Sequence, residues 1–227
     1  MDKPCFEIGK NYCIEGNPIC VRCDMNDLCP TAKGNLGDNP ISSESKNEIA
    51  KISDDVRQRA ARIKLFLCDV DGVLTDGSIF IGGEREFKRF NIRDGLGLVL
   101  ARRAGLKIGW VSARPSAATK LRADELKIHF LVQQNDRTSK TAAIEKLLTQ
   151  GKMNWDEVCF VGDDIVDLGP LKRAGLAVAV ADGVAEAKAA AHHVTQAAGG
   201  RGAVREAIEM ILRTQGIWSP FVEHYSE

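Results

Sequence analysis

The chain has 227 residues, 44% of them hydrophobic, enough to bury one full core and leave residues over for an appendage. Its 31 Lys and Arg balance its 31 Asp and Glu, and no block of about five or six like charges occurs, which excludes broad attraction to nucleic acid or to an anionic membrane surface. No stretch approaches the ~18 apolar residues of a membrane span, and the N-terminus has neither a basic nor an apolar leader region, so a cytoplasmic protein is expected.

Residues 1–42 have few periodic apolar positions and many Gly, Pro, Asn and Asp, ending in Gly34-Asn35-Leu36-Gly37-Asp38-Asn39-Pro40, and read as an appendage and linker. Five of the seven cysteines lie here: Cys5, Cys13, Cys20, Cys23 and Cys29. Cys20 and Cys23 have the spacing of a metal knuckle, but a second such pair is missing, and an odd count suits neither a closed disulfide set nor a simple zinc site. Cys68 and Cys159 lie inside apolar runs and read as small hydrophobes in buried strands. From Ser43 onward a single domain, 43–227, is expected, opening with a helix whose face carries Ile49, Ile52, Val56, Ala60 and Ile63.

The apolar run from Ile63 to Cys68 predicts a buried strand, and Asp69-Val70-Asp71-Gly72-Val73-Leu74-Thr75 follows it directly. Two carboxylates one residue apart at the end of a buried strand are costly unless they have chemical work. An aspartate can attack phosphorus, a neighbouring carboxyl group can handle the leaving group's proton, and a divalent cation can neutralise the anions that gather there. Ser78 to Ile81 and Glu84 to Phe90 around Gly82-Gly83 predict a small hairpin flap. Next come a helix from Asp94 to Gly105, a strand from Leu106 to Ser112 and a helix opened by Pro115. A strand from Ile128 to Val132, a helix from Ser139 closed by Gly151 and a strand from Glu157 to Val161 follow. Short strands at Ala177 to Val180 and His193 to Thr195, then an amphipathic helix from Ala203 to Leu212, complete an α/β doubly wound (Rossmann-like) parallel sheet. Ligands in such sheets bind beyond the carboxyl ends of the strands, where Asp69, Ser112 with Arg114, and Gly162-Asp163-Asp164-Ile165-Val166-Asp167 are all placed. Taken singly these residues have bland readings: Asp71-Gly72 as a turn, Asp164 and Asp167 as an acidic helix start, Lys140 as a solvated charge. His129, His192, His193 and His224 show no ligand or relay spacing and read as surface or loop residues.

Through Asp69 to Thr75, Ser112, Lys140 and Gly162 to Asp167, the chain resembles the haloacid dehalogenase superfamily of phosphatases. Through Phe90-Asn91-Ile92-Arg93-Asp94-Gly95-Leu96-Gly97 and Gly199-Gly200-Arg201-Gly202-Ala203-Val204-Arg205-Glu206 it resembles, more narrowly, the 3-deoxy-D-manno-octulosonate 8-phosphate phosphatases, over residues 60 to 215. The resemblance implies that Asp69 is the nucleophile of an aspartyl-phosphate route and that Asp71 is first acid and then base, protonated when substrate arrives. It implies Mg²⁺ on Asp69, the main-chain carbonyl of Asp71, and Asp163, with Asp164 and Asp167 orienting those ligands. Ser112 and Lys140 would hold phosphoryl oxygens. Substrate contacts would come from Asp71, Asn91, Ile92, Arg93, Asp94, Gly95, Arg114, Arg122 and Lys140, with Arg201 reaching a neighbouring subunit's site.

The same resemblance implies a capless enzyme of lipopolysaccharide biosynthesis that removes phosphate from a small sugar acid phosphate and assembles as a homotetramer. Only a hairpin follows the first motif, so another copy is expected to cover the crevice, through its hairpin and its tail from Gln215 to Phe221. Two alternatives stand beside this reading. One is a nine-carbon ulosonic acid 9-phosphate as substrate on the same machinery; the other is a catalytically silent binding or assembly subunit whose working part is the cysteine segment.

Overall fold

The computed structural model describes residues 13–14, 17–18, 52–83, 85–133 and 139–226. Two isolated short strands, β1 (Cys13–Ile14) and β2 (Asn17–Pro18), pair antiparallel. The remaining cysteines of the appendage and residues 43–51 of the expected first helix lie outside the described residues. The domain then runs α1 (Asp54–Ala60), β3 (Leu65–Cys68), the hairpin β4 (Phe80–Gly82) and β5 (Arg85–Phe87), α2 (Ile92–Arg103), β6 (Lys107–Ser112), α3 (Ala117–Leu126) and β7 (Phe130–Gln133). It continues through α4 (Lys140–Gly151), β8 (Val158–Gly162), a 3₁₀ turn (Ile165–Asp167), α5 (Leu168–Leu171), β9 (Leu176–Ala179), α6 (Ala185–Ala190), β10 (His193–Val194), α7 (Ala203–Thr214) and α8 (Trp218–His224). No helix among the described residues is long and apolar enough to cross a membrane.

Side-chain caps set the starts of α1 to α4. The Ser53, Ser116 and Ser139 hydroxyls accept from the N–H groups of Val56, Thr119 and Ala142, so Pro115 lies before a serine cap instead of opening α3. Asn91 accepts the Arg93 N–H at 2.8 Å and starts α2 two residues ahead of Asp94. At the far end of α4, Lys152 takes the left-handed conformation with φ 51°, so the helix runs through Gly151 instead of stopping at it.

Six strands form one parallel sheet in the order β10-β9-β8-β3-β6-β7. The chain winds outward in both directions from β3, so the switch point lies beside that strand, and the doubly wound expectation holds. Alternation along the strands builds two cores. Phe66, Cys68, Cys159 and Val161 face a layer made by α1, α2, α7 and α8, while Leu65, Leu67, Val158 and Phe160 face α4, α5 and α6. Cys68 and Cys159 are free and buried, and burial pushes both thiols far up, leaving them as small apolar groups.

The segment between β3 and α2 holds only the hairpin, whose Ile79, Phe80, Ile81 and Phe87 are exposed. The C-terminal tail departs from expectation. Ile217, Trp218 and Phe221 are buried in the chain's own core, and the Arg205 and Arg213 guanidiniums sit 4.8 and 5.1 Å from the Trp218 ring centroid. These three apolar side chains are spent within the chain, where they brace α7.

Candidate active site

Asp69 is the first residue beyond β3, and its N–H continues the ladder to the Val161 carbonyl at 3.0 Å. One carboxylate oxygen accepts the Val70 N–H at 2.6 Å, and the other lies 2.7 Å from Nζ of Lys140. Lys140 opens α4, and its side chain is only 4% exposed because the same ammonium also bonds Asp167 at 2.8 Å. The second oxygen of Asp167 accepts the N–H groups of Asp163 and Asp164 at 3.0 and 3.4 Å, fixing the loop after β8. Asp164 itself is exposed and accepts the Ile165 N–H, capping the 3₁₀ turn.

Asp69, Asp163 and Asp167 bring carboxylate oxygens within 4.8 Å of one another. One ammonium cannot balance three carboxylates. Burial pushes Asp163 up to about 8, with the charges of Asp69 and Asp167 adding to it and Lys140 opposing. Burial likewise raises Asp69, then Asp167 raises it further, against Lys140. Desolvation would lower Lys140, but Asp69 and Asp167 outweigh it and hold the ammonium charged. Oδ1 of Asp163 is buried with no hydrogen-bond partner. An orphaned buried oxygen in an all-oxygen anionic cluster fits a hard divalent cation such as Mg²⁺.

Glycines permit this crowding. Gly72 has φ +89°, and a Cβ there would fall on the Asp163 carboxylate. A Cβ on Gly199 would fall on the Gly72 carbonyl, so the Gly199-Gly200-Arg201-Gly202 loop braces the Asp69 to Thr75 turn by close backbone approach, with the Gly200 N–H on the Val73 carbonyl at 2.9 Å.

The second carboxylate of the motif, Asp71, is held by a residue that sequence reasoning missed. Lys88, just past β5, places Nζ 2.6 and 2.8 Å from the two Asp71 oxygens and 3.6 Å from Glu86. Glu86 also accepts from Ser116 at 2.9 Å and pairs with Arg114, which that carboxylate holds firmly in its charged form. The signal was the period of two in Arg85-Glu86-Phe87-Lys88, which puts Glu86 and Lys88 on the inner face of the flap and Phe87 outside. Ser112 is buried at the end of β6, where its hydroxyl donates to the Arg114 carbonyl and accepts the Arg114 N–H.

The segment from Asn91 to Gly95 divides. Asn91 caps α2 and reaches the Gly200 carbonyl at 3.5 Å, and Ile92 and Arg93 are exposed. Asp94 is corrected from substrate contact to framework: it is buried, with its two oxygens accepting the N–H groups of Gly202 and Arg205 at 3.2 and 2.7 Å. A carboxylate at the start of α7 satisfies donors the helix cannot pair itself. Burial still raises its pKa against those bonds. Gly95 is buried against the Arg122 guanidinium, whose Nε is buried without a partner while another nitrogen pairs with Glu125 at 2.7 Å. Arg201 lies 3.7 Å from Asp76 of its own chain and is mostly exposed. Two histidines serve the backbone: Nδ1 of His129 and of His192 accept the N–H groups of Ile108 and Ala177, at the strand ends opposite the crevice. Residues 134–138, which lengthen the approach to Lys140, lie outside the described residues.

A family model of haloacid dehalogenase-like hydrolases matches residues 131–208. A 3-deoxy-D-manno-octulosonate 8-phosphate phosphatase from Yersinia pestis is 39% identical over 165 residues, 72% of this chain and 87% of its own. The chain belongs to this family of haloacid dehalogenase phosphatases. Among solved members, the Moraxella catarrhalis phosphatase in complex with magnesium ion, phosphate ion and KDO superposes with a TM-score of 0.73 at 35% identity, covering 76% of this chain and 98% of that one. The cobalt-bound Haemophilus influenzae phosphatase gives 0.71 at 34% identity, covering 75% and 100%. These phosphatases span nearly their full lengths on the domain described above, and the parallel sheet is theirs.

Proposed function

We propose that this protein is a Mg²⁺-dependent phosphoric monoester hydrolase that converts 3-deoxy-D-manno-octulosonate 8-phosphate to the free sugar acid and phosphate, in lipopolysaccharide biosynthesis. The observation that carries the reaction class is one buried ammonium, Lys140, bridging Asp69 and Asp167 beside the unpartnered Asp163 oxygen at the switch point of the sheet. Identity of 39% to the Yersinia pestis phosphatase supports the substrate. Neither the nine-carbon substrate nor the silent subunit is favoured, since the curated relatives act on the eight-carbon phosphate and the acidic cluster is intact.

In this reading an Asp69 oxygen attacks phosphorus, the bond to the sugar oxygen breaks, and Asp71 gives that oxygen its proton. Water then cleaves the aspartyl-phosphate while Asp71 takes a proton back. Lys140 and the Ser112 hydroxyl hold phosphoryl oxygens, and Asp167 and Asp164 keep the loop after β8 in place. Asp69, Asp163 and the Asp71 carbonyl would hold Mg²⁺, which when bound neutralises the crowded anions. Asn91, Ile92, Arg93, Gly95, Arg114 and Arg122 line the approach for the sugar acid, whose carboxylate calls for cations beyond Lys140. The chain divides into a cysteine-containing appendage, 1–42, and a catalytic domain, 43–227. It works in the cytoplasm as a homotetramer, a reading supported by the apolar exposed hairpin, which isolated chains leave in water. Arg201 then faces a neighbouring subunit's site.

Phosphate release over a panel of sugar phosphates in Mg²⁺ tests the substrate: the eight-carbon acid phosphate is expected to have the highest kcat/KM, and a preference for a nine-carbon acid or a neutral sugar overturns the reading. A second expectation concerns the metal. The folded Asp163 carboxyl is raised to about 8 from 3.8, so without metal the folded chain holds a proton that the unfolded chain has lost, and stability falls as pH rises through that interval. Mg²⁺ displaces that proton, so the rise in Tm that it produces is expected to grow from about pH 6 to about pH 8.5. Thermal melts with and without Mg²⁺ check this, and a shift independent of pH contradicts it.

A further inference from the structure

The flap carries a side chain to which the steps above give no task. Lys88 lies next to an exposed hairpin, where a four-carbon stem has an easy path to water, yet its side chain is 0% exposed. A buried ammonium is costly unless paired, and this one is paired toward the reaction centre. Its bonds of 2.6 and 2.8 Å are, among the described residues, the hydrogen bonds that the Asp71 carboxylate makes. Asp71 itself sits in a turn, followed by Gly72 at positive φ, with no neighbour in that turn to fix its carboxylate. Proton transfer demands an oxygen held within hydrogen-bond reach of the leaving atom, and small misplacements are costly.

We infer that Lys88 is the positioning residue for Asp71: it aims the carboxyl group at the leaving sugar oxygen, and Glu86, tied to Ser116 and Arg114, anchors Lys88 from behind. The step it serves balances simply. As the Asp69 oxygen bonds to phosphorus, the pair of the breaking P–O bond goes to the sugar oxygen, which takes the Asp71 proton. Lys88 donates no proton and touches no phosphorus. The flap thereby connects the loop that carries Arg114 to the acid through Glu86 of β5 and Lys88 just past it.

The inference rests on the reading of Asp71 as the acid, and leaving groups of different need separate the two. A sugar alkoxide cannot leave without a proton, whereas p-nitrophenolate can, and kcat/KM reports only the steps through aspartyl-phosphate formation. Asp71→Asn is expected to lower kcat/KM for the sugar phosphate by about 10³-fold and for p-nitrophenyl phosphate by under about tenfold. Lys88→Met is expected to show the same asymmetry at about 30-fold against under about threefold, to add nothing in the Asp71→Asn background, and to be partly rescued by Lys88→Arg. If Asp71→Asn shows no asymmetry, the reading of Asp71 fails. If it does and Lys88→Met lowers both substrates equally or neither, or adds its full loss to Asp71→Asn, the positioning role fails. Should Lys88→Met not fold, Lys88→Arg carries the same comparison, with an equal loss on both substrates against the inference.

Discussion

Replacing Asp69 by asparagine is expected to slow phosphate release by about 10⁴-fold or more while leaving the fold intact. Asparagine keeps the shape of the side chain, so its carbonyl oxygen can still accept the Val70 N–H; its amide nitrogen cannot accept from Lys140, which loses that pair and keeps its bond to Asp167. What it loses is the charge and nucleophilicity of the attacking oxygen. The same charge is a burden to the metal-free fold. Burial and Asp167 raise the folded pKa of Asp69 above its unfolded value, so the folded parent binds the extra proton and loses stability as pH rises. The Asp69→Asn variant is free of that pH-dependent loss. Without Mg²⁺ its Tm is expected to match or exceed the parent's, by a margin that widens from about pH 5 to about pH 8. With Mg²⁺ the order reverses, since a charged ligand has gone. Phosphate release and melts under the two conditions check this; turnover within about tenfold of the parent removes Asp69 as nucleophile.

Much of this was legible in the chain, for a physical reason. In a parallel sheet buried on both faces, strands read as apolar runs and the residues after them are the ones exposed to a ligand, so Asp69, Ser112 and Asp163 could be placed by counting to the ends of runs. Short-range caps shifted boundaries by a residue or two, as at Asn91 and Lys152, because one side-chain bond or one left-handed residue decides where a helix begins or stops. What stayed hidden depends on contacts across long sequence separations. Asp94 looked like part of a sugar-binding stretch, but its partners are the N–H groups of Gly202 and Arg205, more than a hundred residues on. Trp218 and Phe221 looked like an exposed tail because no local pattern tells an apolar anchor for another copy from one for the chain's own α7. Lys88 drew no reading of its own, because only folding the flap over the first motif reveals its partner.

Lys140→Met is expected to destabilise the metal-free protein by about 3–5 kcal/mol, the usual cost of removing one partner from a buried ion pair, and to lower turnover by about 10³-fold. The lysine and its two partner carboxylates are among the most buried charges of the domain, and the ammonium is the only side-chain cation within bonding distance of Asp69 among the described residues. Methionine fills the space of the stem but leaves Asp69, Asp163 and Asp167 facing one another. The pH dependence has a definite sign. Lys140 has its folded pKa raised above the unfolded value, so its contribution is fully present below 10.5 and is lost only as pH rises through the higher folded value. Across the neutral range it therefore stays charged in the parent. In the variant, proton uptake by Asp69 and Asp163 can partly replace it at low pH but not at high pH, so the deficit in urea melts is expected to be larger at about pH 8 than at about pH 5. Mg²⁺ is expected to narrow that deficit at the higher pH by supplying a cation to the same oxygens, without restoring turnover, because in the proposed mechanism the phosphoryl group also needs the ammonium. A deficit under about 1 kcal/mol, or one that does not change with pH, would show that the buried carboxylates are not held apart by this lysine.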